Sequence, residues 1–350
     1  MRFLIIIFIL FVPRILLANN LLGLPSLIIP KDNLQTPEKI KLGQRLFNDK
    51  RLSADGSISC ASCHHADKAF TDGLRTAKGI KGLTGTRNAP TVMNAAFYQS
   101  FFVDGRAKTL EEQALGPLTN PIEHGLKDSQ AIINIVKADA DYRRDFKVVF
   151  NTNEISTLHI GKAIASFERT LIGGNSKFDQ YYFGRDRSQL SKSAARGLRI
   201  FRRKGNCANC HEISWNNARF TDNRFYNIGV GSKQLKPFFA MMKQGKIADS
   251  LTSLQSSELG RFSVTKIISD IGKFKTPTLR NIALTAPYMH DGSMKTLMEV
   301  IEYYDKGGNK NPFLDSAIFP LNFTVQEKQD LENFLQNLTS PIKVKVTKSN

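Results

Sequence analysis

Cysteine is scarce: the 350 residues hold four, alongside one tryptophan and six histidines. Acidic residues also run short, with 31 Asp+Glu against 49 Lys+Arg and a formal charge of +18. No recognised nucleic-acid motif accompanies that charge, which argues against a nucleic-acid partner. Long apolar runs are missing beyond the N-terminus, so no later segment approaches the roughly 20 residues of a transmembrane helix. A convincing strand alternation is absent too, and the expected fold class is mostly α.

The N-terminus is the exception. Met1-Arg2 precedes a nearly unbroken apolar run from Phe3 to Val12, then Pro13-Arg14 and Ile15-Leu16-Leu17-Ala18. A positive start, an apolar core of about ten residues and a small residue before Asn19 describe a secretory signal over residues 1–18. The untidy Pro13-Arg14 leaves an uncleaved membrane anchor as the alternative.

All four cysteines fall in two short runs, Cys60-Ala-Ser-Cys63-His64 and Cys207-Ala-Asn-Cys210-His211. A Cys-x-x-Cys-His run lets two thioethers capture the vinyl groups of one haem while the next histidine reaches its iron. None is left for a disulfide. A redox dithiol or half of a zinc site are the competing readings, but a dithiol needs no histidine directly after the second cysteine, and the motifs lie 147 residues apart, far from the short spacings of a zinc finger. Two covalent c-type haems are therefore expected. Together with export, they point to a bacterial periplasm.

At 350 residues, about two domains are expected. Gly43-Gln44-Arg45-Leu46-Phe47 before the first motif is echoed by Gly197-Leu198-Arg199-Ile200-Phe201 before the second, and Phe70-Thr71-Asp72 after one by Phe220-Thr221-Asp222 after the other. An internal duplication of a small helical haem-binding unit accounts for this. The expected division is residues 19–180 and 181–350, with Lys177 to Asp186 as the crossing. Thr36-Pro37-Glu38 starts a helix, Ser156 to Leu171 reads as a core helix stopped by Gly173-Gly174, and Thr296…Glu299 and Thr324…Glu327 are capping boxes. Residues 231–275 are poorly periodic and read as a loop or insertion. The densest basic run, Arg185, Arg187, Lys192, Arg196, Arg199, Arg202, Arg203 and Lys204, reads as a solvated helix face or as a docking face for an acidic electron donor.

With these pieces placed, the chain resembles the bacterial dihaem cytochrome c peroxidase and MauG family over essentially its whole mature length. The matching stretches are Arg87-Asn88-Ala89-Pro90-Thr91, Asp104-Gly105-Arg106-Ala107, Gly116 to Glu123, Phe274 to Asn281 and Ala286 to Gly292. The resemblance implies two cytochrome c-like domains packed face to face, the N-terminal haem being the peroxide site and the C-terminal haem handling electrons. It makes His64 and His211 the proximal iron ligands and places Glu123 over the open face of the first haem, with Gln113 and Pro117 lining the same pocket. Peroxide must move a proton from one oxygen to the other before its O–O bond splits, and a pocket carboxylate can shuttle it. The resemblance also implies calcium between the domains, held by the Asn88 side chain and the Thr285 and Pro287 carbonyls; hard cations take such oxygen ligands.

Three departures refine this expectation. The histidine that blocks the peroxide haem of the family's conventional peroxidases is here Ile80, which cannot ligate iron, so the first haem should be open even when oxidised; His124, beside Glu123, is the residue that would interfere. The methionine expected at the second haem is replaced by Tyr304, as in MauG, with Met289, Met294 and Met298 as nearby alternatives. Phenolate ligation favours the ferric state. The tryptophan usual between the haems is Val103, and the surface tryptophan of MauG before the second motif is Gly205; the one tryptophan present is Trp215. The leading expectation is a periplasmic peroxidase reducing H2O2 with electrons from a small acidic c-type cytochrome or cupredoxin. MauG-type oxidation of a partner protein's side chains and a plain dihaem electron carrier are the rivals, the lost tryptophans counting against the first and the open iron against the second.

Overall fold

A computed structural model describes residues 21–244 and 251–341; the N-terminal signal lies outside them. The helices are α1 (Pro37–Asn48), α2 (Leu110–Thr119), α3 (Ser129–Ala138), α4 (Ala140–Phe150), α5 (Thr157–Glu168), α6 (Lys177–Tyr182), α7 (Lys192–Arg202), α8 (Lys236–Lys243), α9 (Ser253–Glu258), α10 (Phe262–Thr265), α11 (Leu297–Asp305) and α12 (Val325–Gln336). The fold is mostly α, as the lack of alternation implied. The only strands among the described residues, β1 (Phe225–Tyr226) and β2 (Phe274–Lys275), pair antiparallel with Phe225 opposite Lys275. Two residues are too few to leave an alternating signature.

Helix starts follow the chemistry read from the sequence. Thr36 accepts a hydrogen bond from the Lys39 amide with Pro37 in the first turn, and Thr296 and Thr324 form capping boxes with Glu299 and Glu327. Ser176 forms a third box with Asp179 and opens α6. The expected crossing segment is thus largely helical, and Phe178 within it belongs to the second core. Residues 231–275 also differ from expectation: α8, α9 and α10 gather Leu235, Phe238, Phe239, Leu259 and Ile271 into a small core of their own. Helices this short offer no room for a 3.6-residue period to show.

Two helix crossings repeat. A Cβ on Gly43 of α1 would overlap the Ala163 carbonyl of α5 and crowd Phe167; one on Gly197 of α7 would overlap the Asp330 carbonyl of α12 and crowd Phe334. Glycine lets the backbones touch at both crossings. Beside them Phe47 meets Phe167 at 5.2 Å between centroids and Phe201 meets Phe334 at 5.1 Å. The first core draws on Leu42 to Leu171 and the second on Phe178 to Leu338, so the two cores part between those residues.

The stretches that carried the family resemblance meet between the two cores. The Val103 carbonyl accepts from the Lys275 amide at 2.8 Å, the Thr278 amide donates to the Tyr98 hydroxyl at 3.0 Å, and Arg261 donates to the Asp104 and Gly105 carbonyls. Arg87 pairs with buried Glu258 at 3.0 Å, and Glu258 in turn bonds His290 at 2.8 Å. A fully buried, two-pronged Arg280–Asp179 pair, completed by the Gly23 and Ala218 carbonyls, ties the N-terminal segment to the second unit. Removing one partner of such a pair costs about 3–5 kcal/mol.

Candidate functional site

Each Cys-x-x-Cys-His run forms a short 3-10 turn that folds the histidine back over the first cysteine. The His64 amide donates to the Cys60 carbonyl at 3.0 Å and the His211 amide to the Cys207 carbonyl at 2.8 Å. The repeated Phe-Thr-Asp stretches serve the same histidines. His64 Nδ1 lies 3.0 Å from the Phe70 carbonyl and His211 Nδ1 3.0 Å from the Phe220 carbonyl. A carbonyl only accepts, so Nδ1 carries the proton in both rings and Nε2 is bare, the form an iron ligand needs. Burial pushes both imidazoles below their ordinary pKa, which keeps them neutral. Burial also raises all four thiols, Cys63 and Cys210 to about 11 and Cys207 to about 12. Reactive dithiols have depressed pKa values. The donor set fits two covalent haems and not a redox dithiol.

Beside the first loop, Thr109 caps α2, which turns Leu110, Ala114 and Leu118 into the core and leaves Gln113 and Pro117 half-buried one turn apart. Pro117 has no amide to close on Gln113, and its own carbonyl instead takes the Asn120 amide at 3.2 Å and the His124 amide at 3.3 Å. That knot presents Glu123. Its Oε1 accepts from Asn120 Nδ2 at 2.9 Å, and it stands close enough to Cys60 and Cys63 for its charge to raise both thiols. Burial raises the Glu123 pKa, with Arg106 opposing. Arg106 lies 3.5 Å from the Phe102 ring centroid, and Phe102 holds a left-handed φ of 61° against Gly116. Asn120 and Arg106, within the stretches that carry the resemblance, are site residues whose contacts only the fold reveals.

Ile80 is buried and its amide donates to the Glu123 carbonyl at 3.0 Å. His124 is buried with Nδ1 2.7 Å from the Leu52 carbonyl, a bond that holds its ring on the Leu52 side.

At the second loop, Tyr304 of α11 is the counterpart. Its phenol pKa is raised by burial and further by Cys207 and Cys210. Neighbouring Tyr303 instead donates its hydroxyl to the Ile228 carbonyl at 2.9 Å, its ring turned 86° from that of Tyr304. Met294 lies in the adjoining core, and the Tyr288 and Met294 backbones are bridged.

Asn88 donates its Nδ2 to the Leu74 carbonyl at 2.7 Å, which leaves Oδ1 to accept, and its amide bonds the His290 carbonyl at 3.0 Å. Thr285 and Pro287 flank the Ala286 carbonyl, about 4.0 Å from where a Gly73 Cβ would stand. The three residues named for calcium thus lie along adjoining segments. Among the described residues no cluster of His, Cys, Asp and Glu could hold a metal, so such a site would rest on amide and carbonyl oxygens.

A sequence profile described as di-haem cytochrome c peroxidase matches residues 37–187. The methylamine utilization protein MauG of Methylorubrum extorquens is 37% identical over 310 residues, covering 88% of this chain and 80% of that protein. The chain belongs to the dihaem cytochrome c peroxidase and MauG family. Cytochrome-c peroxidase IdrP1 of Pseudomonas sp. strain SCT is 35% identical, covering 90% of this chain and 84% of its own. A crystal structure of a MauG-like protein associated with microbial copper homeostasis aligns with a TM-score of 0.75 at 35% identity, covering 91% of this chain and 94% of that one. Family membership brings two c-type haems and peroxidase-like oxidoreductase activity, and the likeness agrees with two cytochrome c-like domains. No described helix is long and apolar enough to cross a membrane.

Proposed function

We propose that this protein is an exported, periplasmic dihaem peroxidase that reduces H2O2 at the Cys60–Cys63–His64 haem, with electrons arriving through the Cys207–Cys210–His211 haem. The observation that carries this reading is the half-buried Glu123, its carboxyl held by Asn120 and its backbone carbonyl bonded by buried Ile80, a residue that cannot ligate iron. When bound, the first haem supplies the iron that takes peroxide and accepts its oxidising equivalents. Glu123 removes the proton from the inner peroxide oxygen and returns it to the outer one, so that water departs. Gln113 orients the peroxide, and Pro117 fixes the bend that sets Gln113 and Glu123 in one pocket. Tyr304 would hold the second haem's iron, and the Asn88 side chain with the Thr285 and Pro287 carbonyls would hold calcium between the two units.

The donor is a small acidic cytochrome or cupredoxin meeting the face of α7. Tyr181, Tyr182, Arg187, Lys192, Arg199 and Arg202 line a surface cleft of about 670 Å³ there. Arg196 and Lys204 are engaged by Asp330 and Glu327, whereas Arg187, Arg199, Arg202 and Arg203 have no acidic partner among the described residues. Such uncompensated charge steers acidic partners.

Oxidation of a partner protein's side chains is the second reading, favoured by tyrosine rather than methionine at the second loop. Stopped-flow and steady-state assays with a reduced small cytochrome separate the two. Continuous H2O2-dependent oxidation of that donor supports the peroxidase; a single turnover followed by arrest, with no oxidation of donor, overturns it.

A further inference from the structure

The two repeated crossings align the halves residue by residue. Gly43 meets Ala163 and Phe167, and Gly197 meets Asp330 and Phe334. Ala163 therefore corresponds to Asp330 and Phe167 to Phe334, and Leu171 to Leu338, both fully buried. The same alignment sets Glu168 opposite Leu335. Leu335 is 7% exposed and belongs to the second core, the ordinary occupant of such a place. Glu168 is 4% exposed, and its Oε2 has no hydrogen-bond partner.

Its position says what the carboxyl faces. Phe167, next to Glu168 in the chain, packs on Phe47 at 5.2 Å between centroids, and Phe47 lies 6.3 Å from the His64 ring, so this end of α5 adjoins the first haem loop; the Glu168 charge correspondingly raises the Cys60 thiol. The charged groups that act on Glu168 are Arg169 on its own helix and Glu111 of α2. These two are held to each other, Arg169 Nη1 to Glu111 Oε1 at 2.8 Å and Nη2 to Oε2 at 3.0 Å. The cation beside Glu168 is already neutralised. The first core on this side is apolar, with Leu46, Phe47 and Phe167 buried in it and Cys60 packed against it; the Cys60 sulfur becomes an uncharged thioether when haem is attached. An unpaired buried carboxylate is costly, and such a group stays protonated unless a positive charge stands nearby. Burial holds the Glu168 carboxyl up at about 8.

We propose that Glu168 binds and releases a proton in step with the oxidation state of the first haem: one proton enters its carboxylate from solvent as one electron enters that centre, and leaves as the electron is withdrawn. The centre thereby changes its electron count without changing the net charge of its buried surroundings. The second half has Leu335 at the matching position. This inference rests on a haem at Cys60 and not on peroxide turnover, so it survives if the peroxidase reading fails.

The test is a spectroelectrochemical titration of the protein with both haems attached, from about pH 6 to about pH 10, for wild type, Glu168→Gln and Glu168→Leu. A tenfold change in proton concentration corresponds to about 59 mV for one electron. The first haem's midpoint potential in wild type is expected to fall with a slope approaching that value around pH 8, and to be flat in both variants, the second haem being unchanged. Redox-difference infrared spectra provide a second readout: a carboxylic-acid carbonyl band gained on reduction in wild type and missing in Glu168→Gln, which keeps the side-chain shape should Glu168→Leu fold poorly. A wild-type slope retained in Glu168→Gln, or a flat wild-type profile, overturns the proposal.

Discussion

In the first half of the molecule α1 crosses α5 at Gly43; in the second, α7 crosses α12 at Gly197, and the histidine of each Cys-x-x-Cys-His motif donates Nδ1–H to a phenylalanine carbonyl at 3.0 Å. What differs is what surrounds each haem loop. The first has a half-buried Glu123, a buried Glu168 and an isoleucine; the second has Tyr304 and Leu335. On the proposed reading, one scaffold offers one centre groups that would move protons and the other a tyrosine that would close the iron. Attachment and proximal ligation are shared demands met by duplicated residues. Reactivity is set by the few positions where the copies diverge.

The comparison is broken most severely at Glu123. Glu123→Gln is expected to lower kcat for peroxide by about 10²- to 10⁴-fold, with the second haem's spectrum unchanged. The carboxylate is the working form and burial raises its pKa, so wild-type activity falls as pH drops through that raised value, above the ordinary glutamate near 4.3. A rate profile whose acid limb persists in the variant would assign the limb elsewhere. At the second loop, Tyr304→Met is expected to raise only that haem's midpoint potential, on the order of 100 mV within the roughly 0.8 V that axial ligands span. Potentiometry showing both haems shifted equally would mean the halves are not independently set.

The crossings sharpen the comparison from the scaffold side. Gly43→Ala and Gly197→Ala each insert a methyl where two backbones touch, at a cost of about 1–3 kcal/mol. Each is expected to lower Tm and to disturb the absorbance of its own haem only. The smallest effect belongs to the docking face: Arg199→Glu with Arg202→Glu should slow oxidation of an acidic donor several-fold at low ionic strength and little at high, because exposed charges are screened beyond about 10 Å at 0.1 M salt. Equal slowing at all salt concentrations would place the damage in the fold.

Much of this design was readable in the chain. The haem loops, the duplication and the caps of α1, α11 and α12 are local, since spacing and turn chemistry decide them within a few residues. The helical character of α6, α8, α9 and α10 was not, because short helices are made by capping and tertiary burial rather than by a visible period. Glu168 shows the same limit at the site. On a helix read for its apolar face, a single acid after Phe167 looks like a solvent-facing residue, and only the crossing with α1 reveals that it is enclosed. His124 is the opposite case: its place beside Glu123 suggested a pocket ligand, whereas a bond to the Leu52 carbonyl commits it elsewhere.

The contrast between an open first centre and a closed second one is tested most directly by low-temperature EPR of the fully ferric protein with both haems attached. One high-spin and one low-spin signal are expected, from an iron with no ligand at Ile80 and an iron closed by Tyr304. Two low-spin signals would contradict the account and mean that the first iron is also closed at rest.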